Sequence, residues 1–165
     1  MIVNSTFQPA IVVVTYNRPA SLRRLLKSVC SADYSAYRDV TLIISMDGGA
    51  SNEVLDLADA LIWEHGEKVL IKHPANLGLR KHVISCGDLT GKYGSIILLE
   101  DDLLVSRNFF DYSVQCLNSY RDEQRVAGIS LYSYRLNENI YLPFEPLQDG
   151  HDVFFMQVPG SWGQA

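Results

Sequence analysis

An α/β fold with a mainly parallel central sheet flanked by helices is what this sequence predicts, and three observations carry the prediction. Short apolar runs recur along the chain at Ala10–Val14, Val40–Met46, Val69–Ile71 and Ile96–Leu99. Runs of this kind read as strands buried on both faces, as in a parallel sheet. The segments between them repeat their apolar residues at helical spacing, and strand alternating with helix is the signature of parallel pairing.

The elements follow in order. After a polar lead-in ending at Pro9, the β-branched run Ala10–Val14 is the first strand. Thr15-Tyr16-Asn17-Arg18-Pro19 closes it with turn residues, and Pro19 suits the first position of a helix because its missing N–H is not needed there. Leu22, Leu25, Leu26 and Val29 form that helix's apolar face, with Arg23, Arg24 and Lys27 outward. Val40–Met46 is the second strand, ended by Asp47-Gly48-Gly49. Ser51 or Asn52 can cap the next helix, whose apolar face is Val54, Leu57, Ala58 and Leu61. Val69–Ile71 is a short third strand, followed by the turn Pro74-Ala75-Asn76-Leu77-Gly78 and a helix with Leu79, Val83 and Cys86 on one side. The central strand Ile96–Leu99 runs straight into Glu100, Asp101 and Asp102. A fourth helix is marked by Phe109, Tyr112, Cys116, Leu117 and Tyr120, and a further strand by Val126–Ser130. From Leu131 the alternation breaks, with Phe154-Phe155-Met156 as a short strand. The chain then reaches Ala165 through Pro159-Gly160-Ser161-Trp162-Gly163 with no closing element, so the sequence reads as truncated.

Composition narrows the function classes. The 165 residues suffice for one domain with a real core, and 47% hydrophobic with 20% charged is ordinary for a globular protein. A formal charge of −5 gives no support to nucleic-acid binding, which wants a basic face. Cys30, Cys86 and Cys116 lack paired spacing and fall in helical segments, which favours buried reduced thiols over disulfides or zinc ligands. The N-terminus lacks a signal-peptide pattern, and no apolar run approaches the roughly 20 residues needed to span a bilayer. The chain reads as cytoplasmic, with peripheral membrane association left open.

Polar features end four successive strands: Thr15–Arg18, Asp47, Lys72–Lys81 and Glu100–Asp102. In a parallel sheet these ends share one edge, where open α/β sheets bind ligands. Each has a plain structural explanation, as a turn, a helix entrance or an acidic loop ahead of a helix. Converging on one rim, they point instead to a ligand. Three adjacent carboxylates call for a positive partner, and a hard divalent cation bridging to phosphates would supply it. The scattered His65, His73, His82 and His151 lack ligand spacing and read as ordinary polar residues. Tyr132, Tyr134, Tyr141 and Trp162 suit sugar stacking and core packing equally.

The series Val-Val-Val-Thr-Tyr-Asn-Arg-Pro, strand-Asp-Gly-Gly, Asn-Leu-Gly-Leu and Leu-Leu-Glu-Asp-Asp resembles GT-A-fold, nucleotide-sugar-dependent glycosyltransferases. It is similar to the large family 2 and also to N-acetylglucosaminyltransferase I, the latter through Leu-Glu-Asp-Asp-Leu followed by Phe109-Phe110-Asp111-Tyr112, and again through Phe154-Phe155 with its following turn. The resemblance covers about residues 10–165, and it departs in the acidic motif, Glu-Asp-Asp rather than a strict Asp-x-Asp. It implies a Rossmann-like nucleotide-binding core over residues 9–130, a flexible lead-in over 1–8, and the start of an incomplete acceptor-side region over 131–165. It also implies a nucleotide-sugar donor, favouring a uridine diphosphate sugar, and a glycan or other hydroxyl acceptor, with bacterial surface-polysaccharide assembly as a setting.

The same resemblance implies residue roles. Thr15, Tyr16 and Arg18 would border the nucleobase and ribose, and Asp47 would accept a hydrogen bond from the uracil imide. Arg80 and Lys81, at a helix N-terminus, would meet the diphosphate; Lys72 and His73 are weaker candidates. Asp101 would face the ribose or sugar, and Asp102, the motif's last acid, would ligate Mn²⁺ or Mg²⁺, with Glu100 the least expected of the three. Inverting transfer also needs a carboxylate as general base. The late acids Glu145, Asp149 and Asp152 do not sit where the family would place one, so the base is expected beyond Ala165 and this chain alone would be weakly active or inactive.

Two other readings compete. A sugar nucleotidyltransferase would want a Gly-rich basic loop after the first strand, and Thr15–Pro19 has no glycine. A nucleotide-sugar-binding module without catalysis is favoured by the missing base. A P-loop protein is poorly supported, because no Gly-x-x-x-x-Gly-Lys occurs.

Overall fold

The computed structural model describes residues 7–132, 136–137, 142–143, 150, 153–156 and 163–165. In chain order the elements are β1 (Ala10–Thr15), α1 (Pro19–Cys30), β2 (Leu42–Met46), α2 (Asn52–Ala60), β3 (Lys68–Lys72), α3 (Leu79–Gly87), α4 (Thr90–Tyr93), β4 (Ile96–Glu100), α5 (Phe109–Tyr120), β5 (Leu136–Asn137) and β6 (Leu142–Pro143). The first four strands form one parallel sheet in the order β3-β2-β1-β4, with Val13 opposite Ile44 on one side and Leu99 on the other. β5 and β6 form a separate antiparallel pair.

The apolar runs are continuous because both faces of the sheet are covered. Ile11 and Val13 of β1 face a core shared with Leu22, Leu25 and Val29 of α1, Val54 and Ala58 of α2, and Phe109, Phe110 and Val114 of α5. Val12 and Val14 point the other way, into a smaller cluster with Ile43, Val83, Cys86 and Leu98. Crossovers α1 and α2 lead outward from β1 to β3 on one face, and α3 returns on the other, as a right-handed connection requires. Pro19 occupies the first turn of α1 as expected. Lys68 closes α2 by donating from its ammonium to the carbonyls of Ala58, Asp59 and Leu61, orphan acceptors that a cation satisfies well.

Several expectations change. Val126–Ser130 is not a regular strand: Ile129 and Ala165 exchange backbone hydrogen bonds, Leu131 N–H donates to Gly163, and only Ser130 is bridged, to Gln164. Gln164 in turn pairs antiparallel with Leu98, extending the sheet past β4. A strand whose partner lies more than thirty residues away in sequence leaves no local signal of its length. Phe154-Phe155-Met156 is irregular, and Phe155 is largely exposed. Leu79 is exposed rather than part of the apolar side of α3, where His82 and Cys86 are the buried residues. The short α4 carries no periodicity to announce it. The three cysteines are free and lie in helices, Cys86 and Cys116 buried and Cys30 partly so. No described helix is long and apolar enough to cross a membrane.

Candidate active site

The strand order runs outward from β1 to β3 and then restarts at β4, so the topological switch point lies between the C-terminal ends of β1 and β4. Open α/β sheets place their ligand crevice at such a point. Two contacts cross it here. Thr15, the last residue of β1, donates its hydroxyl to Asp101 Oδ2 at 2.8 Å, and both side chains are buried. Arg18 places Nη1 2.5 Å from Asp102 Oδ2 and 3.9 Å from Asp101 Oδ1. The Arg18 and Asp102 side chains are 63% and 48% exposed, so this pair lies on the solvent side of the crevice and can be rearranged by a ligand. Glu100 has its pKa raised, first by burial and then by the charges of Asp102 and Asp101, against a smaller opposing pull from Arg18.

Asp47 does something the sequence left unseen. It is only 5% exposed, and Oδ1 accepts the N–H groups of Gly48 at 2.8 Å and Leu77 at 2.7 Å, while Oδ2 accepts that of Gly78 at 3.1 Å. Burial alone would raise its pKa, but the three N–H donors, helped by His82, pull it below the ordinary carboxylate value. Gly48 lies directly beneath this loop, where a Cβ would overlap the Ala75 and Asn76 backbone. Asn76 adds a side-chain hydrogen bond to the Gly48 carbonyl, and His73 N–H donates to Met46 O. The end of β2 thus clamps the loop that leads into α3.

That clamp fixes the start of α3, whose first turn carries Arg80 and Lys81, both exposed and in no ion pair among the described residues. Lys72 is engaged elsewhere, with its ammonium 2.9 Å from Asp59. Tyr16 is 42% exposed, with its hydroxyl beside Gly49, and Asn17 ties the β1–α1 turn to the β2–α2 turn by accepting the Ser51 N–H at 2.7 Å. Among the sequence-predicted residues, Thr15, Arg18, Asp101 and Asp102 are brought into contact. Asp47 and the α3 start belong to the neighbouring strand end on the same edge. Ser45 and His82 were not singled out as parts of the site, and His73 stood only as a weaker candidate for the diphosphate. A lone serine within Leu42–Met46, and His82 four residues before Cys86, were the available signals. Tyr134, Tyr141, Glu145, Asp149, His151, Asp152, Pro159, Gly160, Ser161 and Trp162 lie outside the described residues.

A cavity of about 1070 Å³ opens elsewhere, toward the N-terminal end of β4, between Ser95, Ile96, Cys116, Tyr120 and Phe155. None of the carboxylates at the switch point lines it, and it is not the site.

Comparison with known proteins agrees with this geometry. No curated protein gives a significant match. A solved structure, S. aureus TarS 1-349, superposes with a TM-score of 0.52 at 12% identity, over 69% of this chain and 33% of that one. At that identity the likeness is one of fold, and the chain spans about a third of the length of its structural neighbour. The model of the family described as glycosyl transferase family 2 matches residues 10–139, a stretch that takes in β1, the Asp47 clamp and the acidic motif. With the parallel sheet and the crossing at its switch point already in place, that match over most of the sequence means that the chain belongs to glycosyl transferase family 2.

Proposed function

We propose that this chain forms the donor-binding core of a metal-dependent glycosyltransferase that moves a sugar from a nucleoside diphosphate, by preference uridine diphosphate, to an acceptor hydroxyl with inversion. The observation that carries the reading is the pair of contacts across the switch point, Thr15 to Asp101 and Arg18 to Asp102. They bring together a buried, rigid hydrogen-bonded pair and an exposed, exchangeable ion pair at the edge where a nucleotide would lie.

The donor set suits a hard cation. Among the described residues no group of three or more His, Cys, Asp and Glu side chains is placed to hold a metal. A magnesium-type ion needs no such cage, because it takes one or two carboxylates and fills its sphere with water and phosphate oxygens. Asp102 offers a half-exposed carboxylate, with Asp101 next to it. Bound Mn²⁺ or Mg²⁺ would act as a Lewis acid that neutralises the leaving diphosphate.

The chain's own residues divide the remaining work. Tyr16 over Gly49 offers a face to the nucleobase, and Thr15 holds Asp101 oriented toward ribose or sugar. Asp47 spends three of its roughly four acceptor positions on the backbone. The remaining one is available to an imide N–H, which would favour uracil. Arg80, Lys81 and the α3 N-terminus face the diphosphate with positive charge. Residues 131–165 begin the acceptor side.

Asp102→Ala tests the metal assignment. Its side chain is half exposed, so the fold and melting temperature should be unchanged. Titration with uridine diphosphate should show the same affinity with and without Mn²⁺, where the parent chain binds more tightly with the metal. Undiminished metal dependence in the variant would remove Asp102 from the role.

A further inference from the structure

β2 is apolar except at Ser45, which is fully buried on the face that packs against α3. Its Oγ lies 2.8 Å from His82 Nε2 and 3.3 Å from His73 Nε2, and the two rings meet edge-on with centroids 4.9 Å apart. Burial pushes the nearby Cys86 thiol up, and the Ser45 and Ser85 hydroxyls oppose this. A hydroxyl donates one hydrogen bond and accepts two, so Ser45 can serve both imidazoles. Burying a hydroxyl and an imidazole this deeply is costly unless they satisfy one another, which makes the pairing obligatory.

The position of the cluster gives it a task. His73 opens the loop after β3, and His82 closes the first turn of α3, its N–H donating to Gly78 O at 3.0 Å. Ser45 therefore holds both ends of segment 73–82, while Asp47 and Gly48 hold its middle. We propose that Ser45, His73 and His82 form a pH-sensitive clamp that positions segment 73–82, holding it on β2 while His82 is neutral and loosening it on acidification.

The groups facing His82 define the response. From β2 come Ser45 and the Asp47 carboxylate, from the loop His73, and from α3 itself Cys86; the cluster members from β1 and β4, including Val12, Val14 and Leu98, are apolar. Burial lowers the His82 pKa below the ordinary histidine value, Asp47 opposes this, and His73 adds to it. A base whose folded-state pKa is depressed gives its full stabilisation above about pH 6.5 and loses it as pH falls toward the lower folded value. Asp47 stays ionised across that window because its own pKa is lowered. His82 and His73 are positioning residues, since they act on the segment and not on a substrate.

The proposal that the segment binds an anion rests on the function proposed above, so the test reads the clamp independently of it. Hydrogen exchange is followed at the Leu77, Gly78 and His82 amides, relative to those of β1, from about pH 7.5 to about pH 5.5. In the parent chain relative protection should fall by about tenfold per pH unit once loss begins. His82→Asn, which keeps a neutral hydrogen-bonding group, should give a flat profile at the protected level. Ser45→Ala, should the first variant fail to fold, should lower protection at pH 7.5 and flatten its pH dependence. Constant protection in the parent, or an equal fall in the folded variants, would overturn the clamp. Uridine diphosphate affinity measured alongside separates the two ideas: pH-dependent protection without any nucleotide binding would keep the clamp and refute the donor site.

Discussion

Gly48→Ala should cost this chain most of its nucleotide affinity while leaving the sheet folded. The added Cβ would overlap the backbone of Ala75 and Asn76, and backbone cannot step aside as the end of a flexible side chain can. The loop would have to lift, pulling Leu77 and Gly78 away from Asp47 and shifting the start of α3 with them. Overpacking of this kind costs about 1–3 kcal/mol. For a chain of this size that lowers the melting temperature by about 3–10 °C. The affinity loss should be larger than stability alone suggests, about tenfold or more, because Arg80 and Lys81 ride on the displaced turn. Thermal melting by circular dichroism and calorimetric titration with uridine diphosphate measure the two effects. A variant with parental affinity would show that the close approach at Gly48 does not position the site.

Asp47→Ala should be the most damaging of the single carboxylate changes, and its effect should depend on pH. It removes the acceptor from three N–H groups, of which that of Gly48 is the most deeply enclosed. An unsatisfied buried donor costs about 1–3 kcal/mol, although the outer two can reach water once the loop relaxes, so a total of about 2–4 kcal/mol is expected. Asp47→Asn should fall between, because its oxygen can still serve Gly48 and Leu77 while its amide opposes the Gly78 N–H. The folded-state pKa of Asp47 is depressed, so its contribution is fully present above the usual carboxylate range and disappears as pH falls through the folded value. Urea denaturation at neutral pH should therefore separate the parent from Asp47→Ala, and the two should converge in acid. Equal stabilities at neutral pH would contradict the clamp, and equal affinity losses for uridine and adenosine nucleotides, the latter without an imide N–H, would contradict the proposed uracil contact.

The sequence carried the frame of this molecule because the frame is local. The runs at β1, β2 and β4 are mostly apolar because helices cover both sheet faces, and this shows in a string of letters. Parallel pairing put Thr15–Arg18 and Glu100–Asp102 on one edge of the sheet, and the strand order of the structure makes them neighbours there. What stayed hidden was what needs a partner far along the chain. The Asp-Gly-Gly after β2 reads as a turn, yet Asp47 and Gly48 exist in this form because another loop lies on them. His82 looked like an ordinary polar residue, since nothing within a few positions announces Ser45. Leu79 was assigned to an apolar stripe that tertiary packing rotates toward His82 and Cys86. The pairing of Ile129–Leu131 with Gly163–Ala165 joins segments too distant for pattern to connect.

The central claim is a metal-dependent nucleoside diphosphate site at the junction of β1 and β4. It is tested most directly by calorimetric titration of the folded chain with uridine, guanosine and thymidine diphosphates, each with and without Mn²⁺. The account predicts binding that is selective for the uridine nucleotide and strengthened by the metal. Absence of binding by all three, in a chain shown to be folded, would contradict it.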